Sequence, residues 1–333
     1  MAGFMSSLPE PWVVKLQDAR TAGAATVRDL QSRLLPGNQR IFRIEGAFRG
    51  DKPGVMAAVM AESCLHELSL FLFNGEAKVE ELGTAFGVRR VQQIPSFLLG
   101  QADVIVTEAH MMKKSASPPD DWVAQPWMSA VCKPGTDYDG FLRNQVSENV
   151  RRNLKKAEAL NLTIRSSSTW QDAEKFYETL MKPFVLQRFD KGSEIAPLGV
   201  LLDWYEGSYS SGEVLFLERN GQAVAGAAVV HRKPQNERMV WAYGAKPEIL
   251  EDKVLRSGFT ALLNAHLFRQ ACQTAATVNL GFTRPFLDDG LRRYKEMWGC
   301  HLQPSLLMRR FRLRLTAKAS PEIRNALAMT PLE

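Results

Sequence analysis

Long apolar runs are missing from this chain. No stretch approaches the ~18 consecutive apolar residues that a membrane-spanning helix needs, so a transmembrane segment is not expected. The first residues, MAGFMSSLPEPWVV, have neither a basic n-region nor a continuous hydrophobic h-region. A secretory signal is therefore not expected, and the cytoplasm is the expected location. Cysteine is sparse. Cys64, Cys132, Cys272 and Cys300 lie far apart, form no C-x-x-C pair and have no histidine pair at ligand spacing nearby. That pattern speaks against a zinc site or a disulfide framework and predicts buried thiols and no metal. No Ser-His-Asp or Cys-His set stands out either, which leaves no obvious machinery for a covalent enzyme intermediate.

What is present is enough for substantial cores. The chain has 333 residues, 45% of them hydrophobic, which predicts a folded protein of two domains. A formal net charge of +6 points to an anionic partner, for which RNA, phospholipid headgroups and phosphorylated substrates all qualify.

Residues 1–38 contain a helical spacing, Val27, Leu30 and Leu34, closed by Pro36-Gly37, and read as a helical arm. Strands are expected at 41–48, 68–73, 103–107 and 127–133. AKVEELGTAF reads as a helix or mixed segment, and KKSASPPDDWVAQP as a surface loop. Leu142, Val146, Val150, Leu154 and Ala157 then step along one helix face. Arg143, Arg151, Arg152, Lys155 and Lys156 occupy the rest of its surface. Thr169 is placed to cap the next helix, which Pro183 should kink or divide. Strands at 213–219, 223–232 and 237–244 follow. Asn220-Gly221 between the first two is a hairpin signal, because both positions take up positive φ. A largely apolar helix, 254–271, should be buried against this sheet, with His266 as a packed core histidine. The final strand, 306–315, alternates Arg310, Arg312 and Arg314 with Phe311, Leu313 and Leu315, one face buried and the other basic.

The most informative stretch is TVNLGFTRPFLDDGLRRYKEMWGCHLQP, residues 277–304. It reads as a buried strand running into a turn at Gly281. A helix follows whose apolar residues, Leu287, Leu291, Tyr294 and Trp298, fall four, three and four apart before Gly299 ends it. Asp288 and Arg292 form an i,i+4 pair, with Lys295 beside the core-facing side. The order Gly281, Thr283, Arg284-Pro285, Asp289-Gly290, Tyr294-Lys295, Trp298-Gly299 resembles the C-terminal signature of the Fem-type peptidoglycan aminoacyltransferases and their relatives in the GNAT acyltransferase superfamily. The string NVRRNLKKAEALNL is similar to that family's R-x-x-I-R-K-A-x-x-x-G-L segment, with Asn161 in place of the glycine.

The resemblance implies an α+β fold of tandem GNAT-like domains, each a mixed, mostly antiparallel sheet flanked by helices. It implies an N-terminal arm at 1–38, a degenerate domain at 39–136, an acyltransferase domain at 137–316 and a tail at 317–333. It also implies transfer of an acyl or aminoacyl group to an amine of a cell-envelope, polysaccharide or small-molecule acceptor. The catalytic residues would be Lys295, which would polarise the carbonyl or contact the donor's phosphate end, and Tyr243 as proton donor. Arg284, Asp288, Arg292, Arg151 and Arg152 would bind substrate. No cofactor is implied beyond the donor itself, whether aminoacyl-tRNA, acyl-CoA or acyl carrier protein. Contact with tRNA or with the inner membrane surface would use the basic residues. One departure bears on the donor. Acetyl-CoA enzymes of the superfamily carry an R/Q-x-x-G-x-G/A loop whose backbone N–H groups cradle pyrophosphate. Here the corresponding YGAKPEILEDKVLRSGF has no G-x-G and carries Glu248, Glu251 and Asp252, making a poor anion nest. The alternatives are an acyl-CoA or acyl-carrier enzyme acting on a small amine, and a binding protein without turnover.

Overall fold

The computed structural model describes residues 39–48, 52–60, 65, 72–73, 77–85, 100–108, 121–188, 198–205, 210–251, 253–285, 289–305, 311–321 and 323–324. The expected arm at 1–38 lies outside them. The chain forms two compact units. One draws on 129–282 and 293–303, the other on 28–128, 283–292 and 304–333.

The second of these is built on a six-stranded sheet. Its strands are β1 (Gln39–Phe48), β2 (Lys52–Met60), β3 (Lys78–Ala85), β4 (Val104–Glu108), β5 (Asp121–Ala124) and, from the far end of the chain, β13 (Phe311–Leu315), in the order β3-β1-β2-β4-β13-β5. Only β2 and β4 run parallel among its registered pairs. Three elements differ from the sequence reading. Within AKVEELGTAF, Lys78–Ala85 is an edge strand, held in register on β1 by backbone pairing and by ion pairs from Arg40 to Glu81 and from Arg43 to Glu80. Part of the expected surface loop pairs as β5, because β13 presents its free edge there. The last strand, expected to close the second sheet, sits between β4 and β5 in this one. Its Phe311 and Leu313 are fully buried with Phe42, Ile44, Met56 and Val106. Arg312 and Arg314 lie on its other, half-buried face, and Arg310 lies outside the described residues.

The other unit carries a seven-stranded sheet. From β6 (Met128–Cys132) the chain passes through helices α1 (Tyr138–Asn144) and α2 (Glu148–Glu158) to β7 (Thr163–Ser167). It continues through α3 (Trp170–Phe176), a π-helical turn (Tyr177–Met181), α4 (Lys182–Arg188) and α5 (Leu198–Tyr205). The strands β8 (Ser210–Arg219), β9 (Gln222–Arg232) and β10 (Glu237–Ala245) form an antiparallel meander. Then come α6 (Pro247–Glu251), α7 (Lys253–Thr274), β11 (Thr277–Thr283), α8 (Gly290–Glu296) and β12 (His301–Pro304). The sheet order is β12-β6-β11-β10-β9-β8-β7.

Local chemistry accounts for these boundaries. Ser147 accepts from the Val150 N–H and splits the expected single basic helix into α1 and α2, and Val150, Leu154 and Ala157 face the core as their spacing requires. Thr169 caps α3 by accepting from the Asp172 N–H. The π-helical turn ends just before Pro183, which has no N–H to return to the carbonyl four residues back. Asn220 and Gly221 both have positive φ, 52° and 74°, as a tight hairpin turn requires. On β8, alternation sends Leu215 and Leu217 to the face covered by α1, α2, α7 and α8, and Val214 and Phe216 to the face covered by α3 to α5. The first face is centred on Phe268 of α7, stacked at 4.6 Å on Phe141 and at 5.3 Å on Trp298. Truncating such a buried aromatic costs about 3–5 kcal/mol.

Candidate active site

The parallel pair β10 and β11 stays in register for only three residues, from Glu237↔Thr277 to Met239↔Asn279. Beyond Val240 strand β10 is irregular as it follows β9, and β11 runs on through Gly281 to Thr283, so the turn expected at Gly281 is a local twist of the backbone within the strand and not its end. Gly281 has φ 79°, and a Cβ there would stand 2.8 Å from the Val240 carbonyl oxygen. The position therefore demands glycine both for its backbone and for the close approach. Asn279, buried one residue pair earlier, accepts from the Gly281 N–H at 2.9 Å and donates to Glu237 Oε1 at 3.0 Å, holding the turn.

Against this turn lies Lys295 of α8. It is 4% exposed, and its Nζ donates to the Phe282 carbonyl at 2.7 Å. Helix α8 starts where Asp289 accepts from the Arg292 N–H at 2.9 Å and ends at Glu296, after which a turn carries Trp298 and the left-handed Gly299. The helix buries Lys295, with Tyr294 half-buried, and the turn after it buries Trp298. Leu291, expected on the apolar stripe, is 48% exposed. The helix is shorter than the spacing implied, so Leu291 falls in its first turn, off the packed face.

Tyr294 begins a hydrogen-bond chain across α7. Its hydroxyl donates to Thr260 Oγ1 at 3.1 Å and accepts from Asn264 Nδ2 at 3.3 Å. Asn264 Oδ1 in turn accepts from the Tyr243 hydroxyl at 2.6 Å. Asn264 is 1% exposed. The Tyr243 ring keeps a partly exposed edge while its hydroxyl is enclosed, and burial pushes that phenol well above the usual tyrosine range. Burial raises Tyr294 too. In this order Tyr243 gives its proton to Asn264 and is open as an acceptor. Half a turn of the Asn264 amide reverses the chain. Thr260 then donates to Tyr294, Tyr294 to Asn264 and Asn264 to Tyr243, whose own proton is released for another acceptor.

Lys295 and Tyr243 thus belong to one unit, and the chain from Tyr243 ends on Tyr294, the residue before Lys295. The remaining residues singled out from sequence are placed differently. Arg151 donates to the carbonyls of Leu142 (3.4 Å) and Arg143 (2.9 Å), securing the end of α1, and Arg152 is exposed and bonded to Asn149. Arg284 and Arg292 fall in the other unit. The Arg284 guanidinium lies 5.4 Å from the centre of the Trp127 ring, and Arg292 donates to the Pro285 carbonyl. Asp288 lies outside the described residues. Asn264, Asn279 and Thr260 escaped the sequence reading. The one signal for Asn264 was an amide within a largely apolar helix.

A second buried polar group lies where β8, β9 and β10 carry Glu213, His231 and Arg238. Glu213 takes His231 Nε2 at 2.8 Å, Arg238 at 3.6 Å, Gln270 at 3.5 Å and the Ser166 hydroxyl. Burial opposes its ionisation, but the hydrogen bonds from His231 and Ser166 and the charges of His231 and Arg238 outweigh it and hold the carboxyl down at about 2. Among the described residues no cluster of three or more His, Cys, Asp or Glu could hold a metal ion, and no helix is long and apolar enough to cross a membrane.

No protein-family model matches this sequence, and no curated protein matches it. Solved structures similar to the chain include "FemX", at 12% identity and TM-score 0.43 over 89% of this chain and 90% of that one. They also include the L-PGS of Bacillus licheniformis, at 11% identity and TM-score 0.40 over 86% of each chain. A GCN5-related N-acetyltransferase from Kribbella flavida is 12% identical with a TM-score of 0.31, over 92% of this chain and 97% of that one.

Proposed function

We propose that the protein transfers an acyl or aminoacyl group from an activated donor to an amine, with Lys295 at the reacting carbonyl. The observation that carries this reading is a buried lysine anchored on the Phe282 carbonyl, beside the positive-φ Gly281, at the end of a parallel strand pair that stays in register for three residues. An acyl oxygen brought there would meet a fixed ammonium as negative charge developed on it, which is the most effective placement for a cation in acyl transfer. The acceptor's neutral amine forms the new N–C bond, the donor's C–O or C–S bond breaks, the nitrogen loses a proton, and the leaving oxygen or sulfur gains one. Tyr243 serves the last step when the Asn264 amide is turned so that the phenol is released as a donor. No covalent enzyme intermediate is needed.

The donor favoured is an aminoacyl ester or a carrier-bound acyl group. The β10–α7 connection is occupied by α6, with Glu248 and Glu251 exposed, where a CoA enzyme would offer a glycine nest. The acceptor is an amine of an envelope precursor, a polysaccharide or a small molecule. Arg284 and Arg152 are proposed for anionic parts of the substrates, with Arg292, Asp288 and Arg151 supporting them. The test is donor discharge. Labelled aminoacyl-tRNA, acyl carrier protein and acyl-CoA are each incubated with the protein and a panel of amines, and CoA binding is followed by calorimetry. Amine-dependent discharge of the first or second donor, without CoA binding at micromolar concentration, is expected. Tight CoA binding would overturn the choice of donor, and no discharge of any donor would overturn the reading.

A further inference from the structure

Outside the proposed reaction, the thiols of Cys132 and Cys300 form a pair. Cys132 ends β6 and Cys300 immediately precedes β12, and these two strands are hydrogen-bonded neighbours in the sheet. Neighbouring strands lie about 4.7–4.9 Å apart, and a disulfide spans Cα atoms roughly 4.4–6.8 Å apart. Both residues are buried, and each thiol perturbs the ionisation of the other. Cys132 Sγ also lies 3.7 Å from Gln145 Oε1. The Gln145 side chain and carbonyl also pack on Gly299, the residue before Cys300. Cys272, also buried, feels Cys132 only through space.

We propose that Cys132 and Cys300 are a reversible oxidation site that closes to an intramolecular disulfide when a hydroperoxide is the oxidant. The Cys132 thiolate attacks the peroxide oxygen, the O–O bond breaks, and with hydrogen peroxide water leaves, giving a sulfenic acid. Cys300 then attacks that sulfur, the S–O bond breaks, a second water leaves and the S–S bond forms. Two thiols are oxidised by two electrons and one peroxide is reduced. Cys132 is taken as the attacking member because the neighbouring Cys300 thiol favours its thiolate more than burial opposes it, whereas Cys132 and burial both raise Cys300. Access comes through β12, a strand of four residues at the end of the sheet with His301 and Gln303 exposed, whose opening uncovers both sulfurs. Because the Cys300 N–H bonds the Lys295 carbonyl at 3.3 Å, the disulfide would also tie down the end of the helix that carries Lys295.

The full chain, freed of reductant, is treated with hydrogen peroxide, denatured, alkylated and mapped by mass spectrometry. Alkylatable thiols are expected to fall from four to two, leaving Cys64 and Cys272, with a linked Cys132–Cys300 peptide pair that dithiothreitol reopens. Cys272→Ser should link identically, and Cys300→Ser should stop at a Cys132 sulfenic acid that dimedone captures. Linkage through Cys64 or Cys272, irreversible oxidation of Cys132 with Cys300 still free, or four unreacted thiols would each overturn the proposal. The mapping of the unsubstituted chain decides it even if a variant does not fold.

Discussion

Two buried polar groups in the seven-stranded unit solve the same problem in different ways. Around Glu213 the solution is charge balance. The carboxylate is met by His231, Arg238, Gln270 and Ser166, and Arg238 in turn bonds Gln270 Oε1 at 2.8 Å. Around Lys295 the solution is geometry. The ammonium is anchored on a main-chain carbonyl, and the neighbouring chain from Tyr243 to Thr260 is made of neutral groups that are satisfied in either direction. The first arrangement leaves a single low-energy state and suits a structural lock. The second retains a choice of proton order, which a lock does not need and a reaction can use.

The contrast can be broken most forcefully at Glu213. Glu213→Ala leaves the partly exposed Arg238 and His231 without their buried carboxylate, so urea unfolding should show a loss of about 1.5–3 kcal/mol. A loss below about 1 kcal/mol would mean the cluster is no lock. Acid tests the same group without mutation. Its folded pKa of about 2 lies below the ordinary 4.5. The stabilisation is therefore fully present above about pH 4.5 and disappears as pH falls toward 2, worth on the order of 3 kcal/mol at most. Glu213→Gln should flatten that part of the stability-against-pH curve, and an unchanged slope would contradict the assignment.

Smaller effects are expected in the neutral chain. Asn264→Leu leaves two tyrosine hydroxyls without their amide, costing about 1–3 kcal/mol in stability. In spectrophotometric titration it should also alter the tyrosine ionisation profile, since the Asn264 bond favours ionisation of both phenols while burial opposes it. A profile identical to that of the unsubstituted chain would mean the chain does not couple the two rings. Smallest of all is the basic helix. Charge reversal at Arg152, Lys155 and Lys156, all exposed, should change stability by no more than about 0.5 kcal/mol. If this face meets a polyanion, it should lower the slope of log affinity against log salt by about one for each phosphate no longer neutralised. A slope that stays fixed would leave these charges solvated.

Local signals were legible in the letters. The Asn220-Gly221 turn, the Thr169 cap and the core face of Val150, Leu154 and Ala157 depend on residues a few positions apart, and the structure holds all of them. What could not be read depended on distant partners. Phe311 pairs with Glu108 and Ala124, so nothing near residue 311 says which sheet its strand joins. Lys78–Ala85 is a strand because β1 offers it an edge, against a composition that also suits a helix. Within the candidate site Lys295 was visible through its motif. Asn264 was not, because the partners that give it meaning, Tyr243 and Tyr294, lie 21 positions before it and 30 after it.

The central claim, that Lys295 is held for chemistry rather than for the core, is tested most directly by Lys295→Met, which keeps the buried volume and removes the charge. Rate of donor discharge and thermal midpoint are measured on the same preparation. The account predicts a fall in rate of about a hundredfold or more, with a stability change near 1 kcal/mol from the missing bond to Phe282. A methionine variant that discharges donor at the original rate, or one whose rate falls only in proportion to unfolded protein, would contradict it.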